Sequence, residues 1–324
     1  MHRSEQLRSS PRPTAAQLVH LKPSNTAGAL LVASCCTLTS AALWLSARDT
    51  VWIWLTGQVL LALALVQWFA VLHECGHETL FRSKRPHTAI GHIAGFFSII
   101  PFHNWKRVHG RHHKWTGWQD VDPTTASLVP RELASFERVL VNLCWKLWIP
   151  LFSILYRINN FWNWPRLEAL FPKSTDRLRL AINSITLLAA YIALFAFVGG
   201  GTMLRLVGVA LLLALVGEDL LLLSQHTHIP QNVSHGADVR PFPAVEQEVF
   251  TRSLVFPRWL SVLLLHIDAH ELHHMYPYVP GYRLSEVTYA TENEIGLRAW
   301  IRGARGMPGE LLLFHNRLET GADI

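Results

Sequence analysis

The sequence predicts an all-α integral membrane protein: four transmembrane helices arranged as two hairpins, with a cytoplasmic, histidine-rich helical cap. Three observations predict it. Four apolar runs approach membrane-spanning length, the basic residues fall almost wholly on one side of those runs, and histidines crowd into tight clusters on that same side.

The apolar runs come first. Half of the 324 residues are hydrophobic and only 16% are charged, against about 25% charged in a soluble protein. The deficit lies in residues 27–47, 51–72, 180–198 and 202–223. Each is close to the ~20 residues that carry a helix across ~30 Å of hydrocarbon. The connectors Arg48-Asp49-Thr50 and Gly199-Gly200-Gly201 are too short for anything but hairpins. A buried helix pair in a soluble protein is the competing reading. Residues 1–26 are polar and proline-bearing and read as a loosely ordered cytoplasmic tail, and 27–324 as a single membrane domain.

Charge sets the orientation. Of the 29 Lys and Arg residues, 27 fall on the side of the termini, and only Arg48 and Arg205 lie toward the other. The positive-inside rule makes the basic side cytoplasmic. The net charge of +6 then reflects orientation and anionic headgroups, and no motif for nucleic acid is present. Cys35 and Cys36 sit in an apolar run, Cys75 sits in a histidine cluster and Cys144 is isolated, a pattern of inert thiols rather than disulfides.

Two shorter segments follow the second run. Ala89–Phe102 is apolar but fourteen residues long, and reads as a re-entrant or interfacial piece. Leu140–Arg157 mixes Trp145, Trp148 and Tyr156 with Asn142, Lys146 and Arg157, and reads as one interfacial amphipathic helix.

The chemistry lies in His73-Glu-Cys-Gly-His77, His109-Gly-Arg-His112-His113 and His270-Glu-Leu-His273-His274. Spacings of three and four put the imidazoles of each cluster on one helix face, and neutral imidazole is the commonest transition-metal ligand. Three such faces exceed what one mononuclear site uses, which points to two metal ions and redox chemistry. The fourth apolar run ends in Glu218-Asp219 and Gln225-His226-Thr227-His228. Carboxylates within an apolar run usually face a cavity or a partner. His226 or His228 is therefore a candidate further ligand, and Glu218 or Asp219 a candidate acceptor for the second ring N–H of a ligand histidine. Asp120 and Asp122 have the same standing, or cap a local turn. Glu74, Glu78, Asp268 and Glu271 stand beside ligands with the same ambiguity. His266 lies one turn before His270 on the same face. His2, His20, His235 and His315 read as surface residues, and His87, His92 and His103 as structural ones.

With these motifs the sequence resembles the membrane fatty acid desaturases, which carry three histidine boxes. The resemblance covers about residues 50–290 and rests on the order and separation of the three clusters, with Gln225-His226-Thr227-His228 before the third. The three residues between His73 and His77 resemble the methyl-end branches, whereas the acyl-CoA Δ9 branch usually has four. The resemblance implies a four-helix membrane domain with a cytoplasmic cap. It implies a non-haem di-iron centre held by His73, His77, His109, His112, His113, His270, His273 and His274, plus one ligand after the fourth span, His226 or His228. It also implies O2 as co-substrate and removal of two hydrogens from adjacent methylenes of a lipid-linked or activated acyl chain. Composition alone does not name iron, because imidazole suits several metals.

Related hydroxylases, acetylenases, epoxidases and carotenoid ketolases share the boxes and form the alternative. A membrane metal transporter is a more distant reading, because transport needs ligands near the bilayer midplane. The chain has no Gly-x-Gly-x-x-Gly after a strand and no His-Pro-Gly-Gly haem motif. An external donor of the ferredoxin or cytochrome b5 type is therefore expected. Arg82, Lys84, Arg85, Lys106, Arg107 and Lys114 are candidates to steer it, besides facing membrane lipids.

Overall fold

The computed structural model describes residues 11–324, so His2, Arg3 and Arg8 of the expected tail lie outside the described residues. The protein is predominantly helical, and four helices are long and apolar enough to cross a membrane. These are α1 (Asn25–Ser46), α2 (Val51–His77), and two later helices described below. Helix α3 (Arg85–Ser98) begins with Pro86 in its first turn, where a missing N–H costs nothing. It ends at Ile99, held at φ 56°, ahead of Pro101. Helix α4 (Phe102–Trp115) follows and carries the second histidine cluster. Helix α5 (Ser135–Lys146), α6 (Ser174–Val198), α7 (Gly200–His226) and the short α8 (His270–Met275) complete the main elements.

The chain divides into two compact units. The membrane unit is Pro23–Val108 with Phe152–Glu218, and the histidine-rich unit comprises residues 11–22, His109–Leu151 and Asp219–Ile324.

In the membrane unit, α1 starts at a Ser24 cap whose Oγ accepts from Ala27 N at 3.3 Å. It packs closely on α2 through small residues. A Cβ on Gly57 would stand 2.5 Å from Ser46 N and 2.9 Å from Ala42 O, so only glycine fits there. Ala42, Leu61, Leu65, Ala210 and Ala214 form the apolar core beside it. Helix α7 contains a π-helical stretch, Leu204–Gly208, which disturbs the backbone ladder. Buried Gln58 repairs it. Its Nε2 donates to Leu206 O at 2.8 Å and to Ser46 Oγ at 2.9 Å, and its Oε1 accepts from Ala210 N at 2.9 Å. In hydrocarbon no water would supply these bonds.

Several expectations change. The second and fourth helices do not stop where hydrophobicity falls. They continue to His77 and His226, so both carry histidines on the spanning helix itself. The triglycine connector reduces to Gly199, at φ 84°, because Gly200 and Gly201 already belong to the next helix. Leu140–Arg157 is not one helix. Ser135–Lys146 and Leu151–Arg157 are separate, broken where Trp148 adopts φ 59° ahead of Pro150. The fold is also not purely helical, since Leu254–Val255 pairs in parallel with Ile295–Gly296.

The described part of the expected tail is packed rather than loose. Leu18 and Leu21 are buried against Leu272, Met275 and Tyr276 of the α8 region. Arg12 pairs with Glu248 at 3.0 Å, and the Tyr276 hydroxyl donates to Pro13 O at 2.8 Å. Two leucines in a proline-bearing stretch carry too weak a pattern to signal this docking.

Candidate metal centre

Helix periodicity builds the site. Within the histidine-rich unit, α4 presents His109, His112 and His113, the end of α7 presents His226, and α8 presents His270, His273 and His274. These seven imidazoles sort into two groups. His112, His226, His270 and His274 form one, their ligand nitrogens all within 4.8 Å of one another, and His109, His113 and His273 are gathered on the same criterion. The groups are neighbours, with the His113 and His274 rings stacked at 4.3 Å between centroids.

The nitrogens converge. His270 Nε2 lies 2.8 Å from His226 Nε2, and His112 Nε2 lies 3.3 Å from His274 Nε2. His113 Nε2 stands 3.1 Å from His109 Nε2 and 3.0 Å from His273 Nε2. Lone pairs aimed together at these distances suit a shared cation, since metal–imidazole bonds run to about 2.0–2.1 Å. Burial, followed by the neighbouring imidazoles His113, His270, His112 and His226, pushes the His274 pKa well below its ordinary value. The ring is then neutral, as a ligand must be. The donor set therefore fits transition-metal ions, and it fits two of them.

The rear nitrogens of two of these imidazoles are fixed by acceptors. His112 Nδ1 donates to Asp122 Oδ2 at 2.7 Å, and Asp122 Oδ1 accepts from Thr124 N at 2.9 Å and Thr124 Oγ1 at 3.0 Å. His274 Nδ1 donates to Gln247 Oε1 at 2.9 Å. Such acceptors set the tautomer and aim Nε2 at the metal. Gln247 and Thr124 were not legible as site residues, because neither has a spacing relation to a histidine cluster.

Other expected residues stand elsewhere. His228 adopts φ 60° and its Nε2 bonds Thr320 Oγ1 at 2.7 Å, outside both groups. Glu218 is buried in an ion pair with Arg157 rather than facing an imidazole. Asp120 clamps a loop, accepting from Ser234 N at 2.9 Å and from Ser234 Oγ at 2.5 Å. His266 belongs to neither group and holds a positive φ of 52°. Glu271 accepts from Ser253 N at 3.0 Å and Asn293 N at 2.7 Å, and burial pushes its pKa up to about 7. It ties α8 to the small sheet.

In the membrane unit, His73 and His77 stand one turn apart at the end of α2, with ring centroids at 4.8 Å. The glycine between them has a packing role. A Cβ on Gly76 would lie 2.1 Å from the Trp105 ring, so glycine lets that ring rest against the helix. Glu74 lies 3.4 Å from His73 Nδ1 and accepts from Thr79 Oγ1 at 2.8 Å.

A helical membrane protein with adjacent all-imidazole groups is the class of protein that these elements define. The chain belongs to the fatty acid desaturase family, whose model matches residues 49–301. It is 27% identical over 235 residues to the sn-1 oleoyl-lipid 12-desaturase of Picosynechococcus sp., covering 68% of this chain and 63% of that one. It is 24% identical over 245 residues to the chloroplastic sn-2 acyl-lipid omega-3 desaturase (ferredoxin) of Helianthus annuus, covering 70% and 53%. The chain thus spans between half and two thirds of the length of these relatives.

Proposed function

We propose that the protein is an O2-dependent di-iron oxidoreductase that introduces a double bond into the acyl chain of a lipid or an activated fatty acid. One observation carries the reading. Seven buried or half-buried imidazoles form two adjacent groups in which nitrogens converge. Structural metal sites rarely use so many neutral imidazoles and no carboxylate or thiolate. His112, His226, His270 and His274 would hold one ion, and His109, His113 and His273 would belong to the other. His73 and His77 are assigned as ligands on their box spacing, and His226 rather than His228 as the ligand after the fourth span. The bound iron would supply O2 activation and hydrogen abstraction.

The chain's own residues do the rest. Asp122 and Gln247 keep the Nδ1 protons of His112 and His274 in place and present their Nε2 lone pairs. Burial of His109, His112, His273 and His274 keeps bulk water from the reacting region. A buried apolar channel would fix one C–C bond near the centre, which is how positioning selects a site on a featureless chain. The two apolar helix pairs are read as hairpins, with the histidine-rich unit and both termini cytoplasmic, on the distribution of Lys and Arg.

Electrons would come from a small acidic carrier of the ferredoxin or cytochrome b5 type. The Helianthus relative's name specifies ferredoxin. Arg82, Lys84 and Arg85 are exposed and suit such docking, whereas Lys106 and Arg107 are already paired with Glu78 and Asp176 at 2.6 Å. The decisive experiment is fatty-acid profiling, with double-bond location, after expression beside a competent reductase in a host lacking such products. A new double bond is expected. Iron-loaded protein giving only hydroxylated or unchanged chains would overturn the assignment.

A further inference from the structure

A second feature of the membrane unit lies away from the histidine groups just described. Between α3, the start of α4 and α6 is a cavity of about 530 Å³ with two chemically distinct ends. His92, His103 and Arg179 line one end, and Phe96, Leu187 and Ala190 the other. Arg179 lies five residues into α6, and Ala190 lies eleven residues further. At 1.5 Å per residue that is about 16 Å along the helix. On a helix long enough to cross a membrane, the basic end falls at headgroup depth and the apolar end within hydrocarbon.

The basic end carries unused polar capacity. Arg179 is exposed and has no ion-pair partner among the described residues. The nearby Arg107 is instead matched by Asp176 at 2.6 Å. His103 Nε2 is buried with no hydrogen-bond partner among the described residues. Asn183 fixes the backbone beside that ring, its Oδ1 accepting from His103 N at 2.6 Å while its Nδ2 donates to His92 Nδ1 at 3.2 Å. Burial, then the charges of Arg107 and Arg179, lower the His103 pKa against the opposing charge of Asp176.

We propose that this groove binds a glycerophospholipid, with its phosphodiester on Arg179 and His103 Nε2 and one acyl chain laid along Phe96, Leu187 and Ala190. The charge complementarity is specific. A phosphodiester brings the negative charge that Arg179 lacks and the acceptor that His103 Nε2 lacks, and a neutral glycolipid brings no such charge. The site is independent of the metal chemistry, and its occupancy is readable without turnover.

The test is lipid binding by the purified full chain in detergent, followed by native mass spectrometry. The probes are phosphatidylglycerol, a neutral galactosyl diacylglycerol with the same acyl chains, and water-soluble glycerol phosphate. The wild type should bind one phosphatidylglycerol about tenfold more tightly than the glycolipid, the margin of one charge-assisted pair. Arg179→Gln, at an exposed position, should erase that preference and leave glycolipid binding unchanged. Ala190→Trp should weaken both lipids alike by filling the apolar end. Equal wild-type affinity for both lipids would overturn the proposal. So would an undiminished preference in Arg179→Gln, or displacement by glycerol phosphate as effective as displacement by the lipid.

Discussion

The Asp122 carboxylate accepts the Nδ1 proton of His112 at 2.7 Å, from a turn ten residues beyond that histidine. The same carboxylate is pinned by Thr124, through both N and Oγ1. His112 is thereby committed to Nε2 as its free nitrogen. Asp122→Asn should weaken metal binding at the His112, His226, His270 and His274 group by about 10–100-fold. Metal content after dialysis against graded chelator measures this, and an unchanged chelation curve would refute the orienting role.

His226 and His228 are two residues apart in sequence but separated in place. His226 Nε2 lies 2.8 Å from His270 Nε2, whereas His228 Nε2 is taken by Thr320 Oγ1. His226→Ala should lose the ion of its group and all turnover, while His228→Ala should keep the metal content of the wild type. Elemental analysis of the two purified variants separates them, and loss of metal from His228→Ala alone would reverse the assignment.

Glu218 and Arg157 form a buried ion pair, with Arg157 also donating to Ser98 O at 3.0 Å and Ser153 O at 3.2 Å. Removing one partner strands a buried charge. Glu218→Gln should destabilise the protein by about 3–5 kcal/mol, and the double change Glu218→Leu with Arg157→Met should recover much of that loss. Thermal unfolding in detergent gives both values. A double variant no more stable than Glu218→Gln would show that the pair does more than neutralise charge.

His87 supplies a pH dependence. It is buried, and its Nε2 donates to Phe81 O at 3.0 Å. Burial holds its pKa below the ordinary value despite the opposing effect of that bond. A depressed folded pKa means that the unfolded chain takes up the proton first as pH falls. The stability associated with neutral His87 is therefore present above about pH 6.5 and is lost as pH drops below it. The wild type should lose thermal stability between pH 7.5 and 5 faster than His87→Gln. Parallel curves would exclude His87 as the cause.

Much of this protein was legible in its sequence. Hydrophobic length alone marked four helices able to cross a membrane, because a bilayer demands about twenty apolar residues and tolerates few charges. Histidine spacing alone placed the rings of α4 and α8 on single faces, because helix periodicity is local. The family followed from the order of those clusters. Tertiary structure decided what local rules cannot. It chose His226 over His228 for the imidazole group, since a left-handed residue at the end of α7 turns the second ring toward Thr320. It recruited Gln247 to His274 from a distant 3-10 turn and spent Glu218 on Arg157. It also docked Leu18 and Leu21 beneath α8. Each of these depends on which segments meet in space, and sequence separations of 27 to 258 residues carry no periodic trace of such meetings.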